Sequence, residues 1–149
     1  MEHIANILPK LIPHTITAQN SLLYPVVENA IASSQIRLDR LPYAVRWHIP
    51  AHKYSQAQGF IQQLTQPAGG YNTTLSHGNW LNPREKNWVG EPIVLVKSYM
   101  TAAMLQRHLG AMVRGSYRMG RTLGEEAIAL EIITNNTMLI IPTDRRISP

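Results

Sequence analysis

The sequence predicts an α+β fold, helix-rich, as a single domain over residues 1–149 with a small sheet. Three observations predict it. Apolar residues recur at three-to-four spacing in several stretches, the period of an amphipathic helix. Tyr43, Val45, Trp47 and Ile49 alternate with Ala44, Arg46 and His48, the period of a half-buried strand. Ile93–Val96 is a compact apolar run that reads as a short buried strand. The strands are thus expected near 43–49 and 93–96, with a further hairpin at 127–141.

Taken in order, Ile4, Ile7, Leu8 and Leu11 suggest a short packing helix or arm interrupted by Pro9. Thr15–Gln35 carries Leu22, Leu23, Val26, Val27, Ala30 and Ile31, the stripe of a core helix. Because Pro25 fits only near a helix start, its regular part is expected to begin near Tyr24. Pro42 and Pro50 bracket the 43–49 strand and predict an edge position or a limited length. Lys53–Gln66 returns to helical spacing through Tyr54, Ala57, Phe60, Ile61 and Leu64, and Pro67 ends it. Ala68–Gly90 holds Gly69, Gly70, Gly78, Asn82-Pro83 and Gly90 and reads as a long irregular loop, the kind of segment that often carries function.

Ser98–Arg121 is the most informative stretch. Ala102, Leu105, Leu109, Met112 and Ser116 fall on one side of a helix, and Arg107, Arg114, Arg118 and Arg121 share the other. No acidic residue occurs from Pro92 to Gly124. Gly110, Gly115 and Gly120 weaken the helix, so a break before Arg121 is expected. Beyond it, Thr122-Leu-Gly-Glu125 matches a capping box and would start another helix. Against that, Ile128, Leu130 and Ile132 alternate, then Thr134–Thr137 and Met138–Ile141 complete a hairpin pattern. The β-branched content favours the hairpin.

Fourteen Lys and Arg against nine Asp and Glu give a net charge of +5, which favours anionic partners. Only 15% of residues are charged, against about 25% in an ordinary soluble chain. Either another chain covers part of the surface or neutral polar residues do. Cysteine is absent, which removes disulfides and thiol chemistry. The first dozen residues do not read as a signal peptide, and no apolar run approaches a membrane span, so a soluble, cytoplasmic protein without membrane contact is expected.

These features lead to a non-enzymatic, basic nucleic-acid-binding small subunit of a larger nucleoprotein complex, with protein subunits as further partners. Arg107, Arg114, Arg118 and Arg121 would hold phosphates, DNA or RNA alike. Trp80 and Trp88, with Tyr71, would stack on bases beside Arg84 and Lys86. The alternative is a structural, oligomer-forming assembly protein whose arginines meet acidic neighbours. A third reading is a small hydrolase or nuclease that uses His77 as a base.

Neither a catalytic constellation nor a metal or cofactor site is assigned. Gly115–Thr122 imitates a phosphate loop, but it carries Arg121 in place of lysine and follows a helical stretch. His48 and His52 have helical ligand spacing, with Pro50 between them and no third ligand; His3, His14 and His108 join no set. Glu91 and Lys97 flank the 93–96 strand without the aspartate and spacing that a nuclease metal motif needs. Asp39 and Asp144 each adjoin an arginine and read as local ion pairs.

Overall fold

A computed structural model describes residues 17–144, with side chains from Pro25 onward. The chain divides into two units, residues 1–39 and 40–149. In the first, helix α1 (Thr17–Ser34) starts well before Tyr24 and accommodates Pro25 in its interior. Within this unit the described part of its stripe is not a core: Val26 and Val27 are 62% and 51% exposed. The arm expected over residues 1–11, with His3 and His14, lies outside the described residues.

The second unit is a five-stranded antiparallel sheet with two helices against it. Its elements are β1 (Tyr43–Pro50), α2 (Tyr54–Thr65), β2 (Asn72–Asn82), β3 (Asn87–Met100), α3 (Ala102–Leu123), β4 (Ala127–Ile132) and β5 (Thr137–Pro142). The strand order is β2-β3-β1-β4-β5. The α+β class holds, and among the described residues the sheet is a five-stranded one rather than a small one.

The first strand in the chain is the central one. Trp47 faces Val96 on one side and Leu130 on the other. This corrects the edge position expected from the two prolines: Pro42 precedes the strand and Pro50 is its last residue, so neither removes a hydrogen bond from the interior of the ladder. Val45, Trp47 and Ile49 are fully buried, and Arg46 and His48 occupy the opposite face. With Ala57 and Ile61 of α2, Met112 and Met119 of α3, and Val96 and Leu130 of the neighbouring strands, they form the core.

The largest correction is at 68–90. In place of an irregular loop, β2 and the first part of β3 form a long two-stranded ribbon, in register from Asn72↔Lys97 to Asn82↔Asn87. Its outer part extends past the helices, so turn-forming residues are tolerated in it. Gly90 has a specific reason: a Cβ there would stand 2.7 Å from both the His77 ring and the Asn79 side chain across the ladder.

Helix α3 starts at Ala102, capped by Thr101, whose hydroxyl accepts from the Met104 N–H at 3.2 Å. Ser98 therefore belongs to β3, where it donates to the Gly70 carbonyl. The helix runs unbroken to Leu123 despite its glycines. Gly115 and Gly120 are contact points: an added Cβ would stand 2.5 Å from Leu64 and 2.5 Å from Thr143. The phosphate-loop imitation is thus a helix face packed against its neighbours. Ser116 lies buried between them and accepts the indole N–H of Trp47 at 2.8 Å while donating to the Met112 carbonyl.

Gly124 adopts φ +69°, its N–H reaches Arg121, and the Glu125 N–H reaches the Gly120 carbonyl at 2.9 Å. These two bonds form a Schellman motif, so the Thr122–Glu125 stretch ends a helix and starts none. The hairpin expected at 127–141 is present as β4 and β5.

Gly120→Ala should destabilise the fold by about 1–3 kcal/mol despite alanine's better helix propensity, because buried, β-branched Thr143 and Ile128 have nowhere to move. Chemical denaturation of the two proteins measures the difference.

Candidate functional site

Where β1 ends, the chain turns through a single 3-10 turn (Ala51–Lys53) into α2, and the end of α3 arrives beside it. Four polar side chains converge there on Glu91, which β3 carries just beyond the last β1 pair, Pro50↔Ile93. Lys53 forms an ion pair with Glu125. Glu125 is held from behind by the Schellman motif and by its own carbonyl, which accepts the Thr143 hydroxyl. Lys53 thus answers Glu125, and among the described residues Glu91 has no ion-pair partner.

The half-buried Glu91 carboxyl titrates above its ordinary range. Burial is the main cause and the negative charge of Glu125 the next, with His52, Lys53 and His77 pulling the other way. A carboxyl with raised proton affinity, a second carboxylate and two histidines gather in one place, which makes this cluster the candidate site.

Next to this cluster Tyr54, the first residue of α2, is hydrogen-bonded through its side chain to Tyr71 at the foot of β2 and to Gln58. Burial first, then the charge and hydrogen bond of Tyr71, keep the Tyr54 hydroxyl above its ordinary pKa.

A second polar group lies on the open face of the sheet. Arg46 donates to Glu131 through Nε at 2.8 Å and Nη2 at 2.5 Å, and His48 meets the other carboxylate oxygen at 2.8 Å. Burial pushes the Glu131 carboxyl up, but the hydrogen bonds from Arg46 and His48 outweigh it and the group titrates below its ordinary range. Lys97, on the same face, lies over the Tyr99 ring at 5.0 Å. Glu131 is answered on both oxygens, which suits a structural clasp.

The residues expected to bind nucleic acid fall in two places. Arg107, Arg114, Arg118 and Arg121 are all exposed on α3, but Arg118 lines the cleft towards α2 and Arg121 donates to the Thr143 carbonyl at 3.1 Å. Trp80 and Trp88 are strand residues of the ribbon, 43% and 73% exposed, and Arg84 and Lys86 sit in its turn. His77 belongs to β2 and not to a loop. His48 and His52 part company: the first binds Glu131, the second faces the Glu91 cluster. His108 lines a cleft between α2 and α3 with Arg118. Among the described residues no three His, Asp or Glu side chains are grouped to hold a metal, and no helix is long and apolar enough to cross a membrane.

Sequence reasoning noticed Glu91 only as part of an incomplete metal motif. Its partners come from the start of α2, from β2 and from beyond α3, so no local spacing could have assembled them.

No protein-family model and no curated protein matches the chain. Among solved structures, a phage SAM lyase in complex with S-methyl-5'-thioadenosine is similar in fold. It has a TM-score of 0.54 and 11% identity, covering 72% of this chain and 95% of that one. A phage SAM lyase in the apo state matches with a TM-score of 0.49 and 10% identity over 74% of this chain and 99% of that one. The first likeness is one of architecture, and it overturns the expectation of a non-enzymatic nucleic-acid-binding subunit, along with the assembly-protein alternative. That solved protein is an enzyme, and among the described residues the groups with shifted pKa values, Tyr54, Glu91 and Glu131, are none of the residues expected to bind nucleic acid.

The two carboxylates predict opposite pH behaviour. Glu131, titrating low, stabilises the fold above its ordinary value of 4.5, and that contribution is lost as pH falls through its folded-state value. Glu91, titrating high, costs stability once charged. Glu91→Gln should therefore be more stable than the wild type at neutral pH, and the gain should vanish below about pH 4, where the carboxyl is protonated folded or unfolded. Thermal melts across a pH series check both signs.

Proposed function

We propose that the protein is an enzyme acting on S-adenosylmethionine, a lyase that breaks a carbon–sulfur bond of that sulfonium, with Glu91 at the centre of its site. The observation that carries this reading is the Glu91 carboxyl, half-buried beside Glu125 with Lys53 already engaged. Such a group is costly to ionise, and a permanently cationic ligand is what lowers that cost. S-adenosylmethionine brings two positive groups, the sulfonium and the ammonium of its aminoacyl chain. Fold likeness to a SAM lyase supports the choice of substrate as an analogy between architectures.

In the proposed step an oxygen of the substrate's own carboxylate bonds to its Cγ as the Cγ–S bond breaks, and sulfur leaves with that electron pair as a neutral thioether, so no proton has to be moved. Neither water nor a protein nucleophile has to enter. The demands on the protein are orientation of a charged chain and exclusion of water. The Glu91 carboxylate meets the first by pairing with the ammonium. His52, Lys53 and His77 each favour the charged form of Glu91.

Incubation with S-adenosylmethionine and chromatographic detection of S-methyl-5'-thioadenosine test the reading. The wild type should release the thioether. Glu91→Gln should lower kcat/KM by about 30-fold or more, the effect of about 2 kcal/mol for a lost partner of a buried charge. S-Adenosylhomocysteine, which keeps the ammonium and the nucleoside but has no sulfonium to leave, should compete with the substrate without being cleaved. Intact substrate after prolonged incubation with the folded wild type would overturn the proposal.

A further inference from the structure

Helix α2 contains a glycine that packing does not explain. Gly59 lies in its interior, where glycine costs about 1 kcal/mol relative to alanine. A Cβ built there meets nothing within 4 Å, unlike those at Gly115 and Gly120, which face close neighbours. Gly70, before β2, is equally open and has no positive φ to require it.

Both glycines line one cleft. Gly59, Gln62 and Gln66, at i, i+3 and i+7, share a side of α2, and Gly69, Gly70 and Tyr71 form the other side of this open groove. Its volume is about 430 Å³, within the range of small-molecule sites. The wall is braced: the Tyr71 side chain is tied to Tyr54, and Tyr54 follows directly on Lys53, the partner of Glu125. The residue that braces the wall and the residue that pairs with Glu125 are thus consecutive in the chain.

We infer that this cleft is the nucleoside subsite of the enzyme, with a purine lying flat over Gly59 against the Tyr71 ring and read at its edge by the amides of Gln62 and Gln66. The inference rests on the lyase reading and extends it to the other end of the substrate. Three features support it. Absent side chains at 59 and 70 leave a flat floor that an aromatic ring needs. A tyrosine ring is a stacking surface for a base, worth about 1–3 kcal/mol. A primary amide presents a donor and an acceptor side by side, matching the exocyclic amine and neighbouring ring nitrogen of adenine.

Binding of S-methyl-5'-thioadenosine by titration calorimetry tests the subsite without the cationic part of the substrate. Gly59→Leu, which fills the floor, and Tyr71→Ala, which removes the wall, should each weaken binding by about 5-fold or more, the low end of a lost stacking contact. Gly59→Leu should fold at least as well as the wild type, since its side chain enters open space in a helix. Glu91→Gln should bind the nucleoside like the wild type, and S-methyl-5'-thioinosine, which lacks the exocyclic amine, should bind more weakly. Equal binding by wild type, Gly59→Leu and Tyr71→Ala, or no binding by the wild type at millimolar nucleoside, overturns the subsite. The turnover assay reports separately: nucleoside binding lost in Gly59→Leu with no wild-type turnover sinks the lyase reading and keeps the subsite, and turnover with unchanged KM in Gly59→Leu does the reverse.

Discussion

The hydrogen bond from Trp47 to Ser116 sets the geometry of the folded unit. An indole N–H buried at the centre of a sheet needs an acceptor, and an unmet one costs about 1–3 kcal/mol. Ser116 is the acceptor, so α3 has one rotation about its axis that satisfies the tryptophan. That rotation turns Gly115 to Leu64 and Gly120 to Thr143, and leaves the arginines of α3 exposed. The Schellman motif at Gly124 then ends the helix and holds Glu125 beside Lys53.

The parts of the fold legible in the sequence are those governed by one period. Alternation marked β1, and three-to-four spacing marked α2 and most of α3. The ribbon of β2 and β3 was illegible because glycine, asparagine and proline normally announce turns, whereas here they occupy strands that extend past the helical layer. Gly90 is there for the room that His77 and Asn79 require. Thr122–Glu125 misled in the reverse sense: one short pattern serves a helix start when the serine or threonine is the cap, and a helix stop when a glycine two residues later takes positive φ. Position in the sheet was also hidden, since prolines at both ends of β1 look the same for an edge strand and for a central one.

The site was less legible than the fold, for an electrostatic reason. Net charge describes the field at a distance, and for this chain it is positive. A binding site is decided at a few ångströms, where burial and one neighbouring carboxylate matter more than five surplus cations elsewhere. Lys53 is spent on Glu125, and the arginines of α3 are exposed. Glu91 is left with histidines and a burial cost. An acidic locus inside a basic protein is invisible to composition, and it emerges only when the ends of β1, β3 and α3 are brought together.

Placing the first strand at the middle of the sheet has a kinetic side. Trp47 leaves the ribosome early, yet its two ladders wait for Val96 and Leu130, roughly 50 and 80 residues further along, and such distant pairings make folding slow. Until both neighbours arrive, the strand presents two open edges and a row of large apolar side chains, the combination that draws nascent chains into aggregates. Helix α2 is the first element after it in the chain able to shield that row, through Ala57 and Ile61. The order of synthesis thus gives α2 a protective duty during folding.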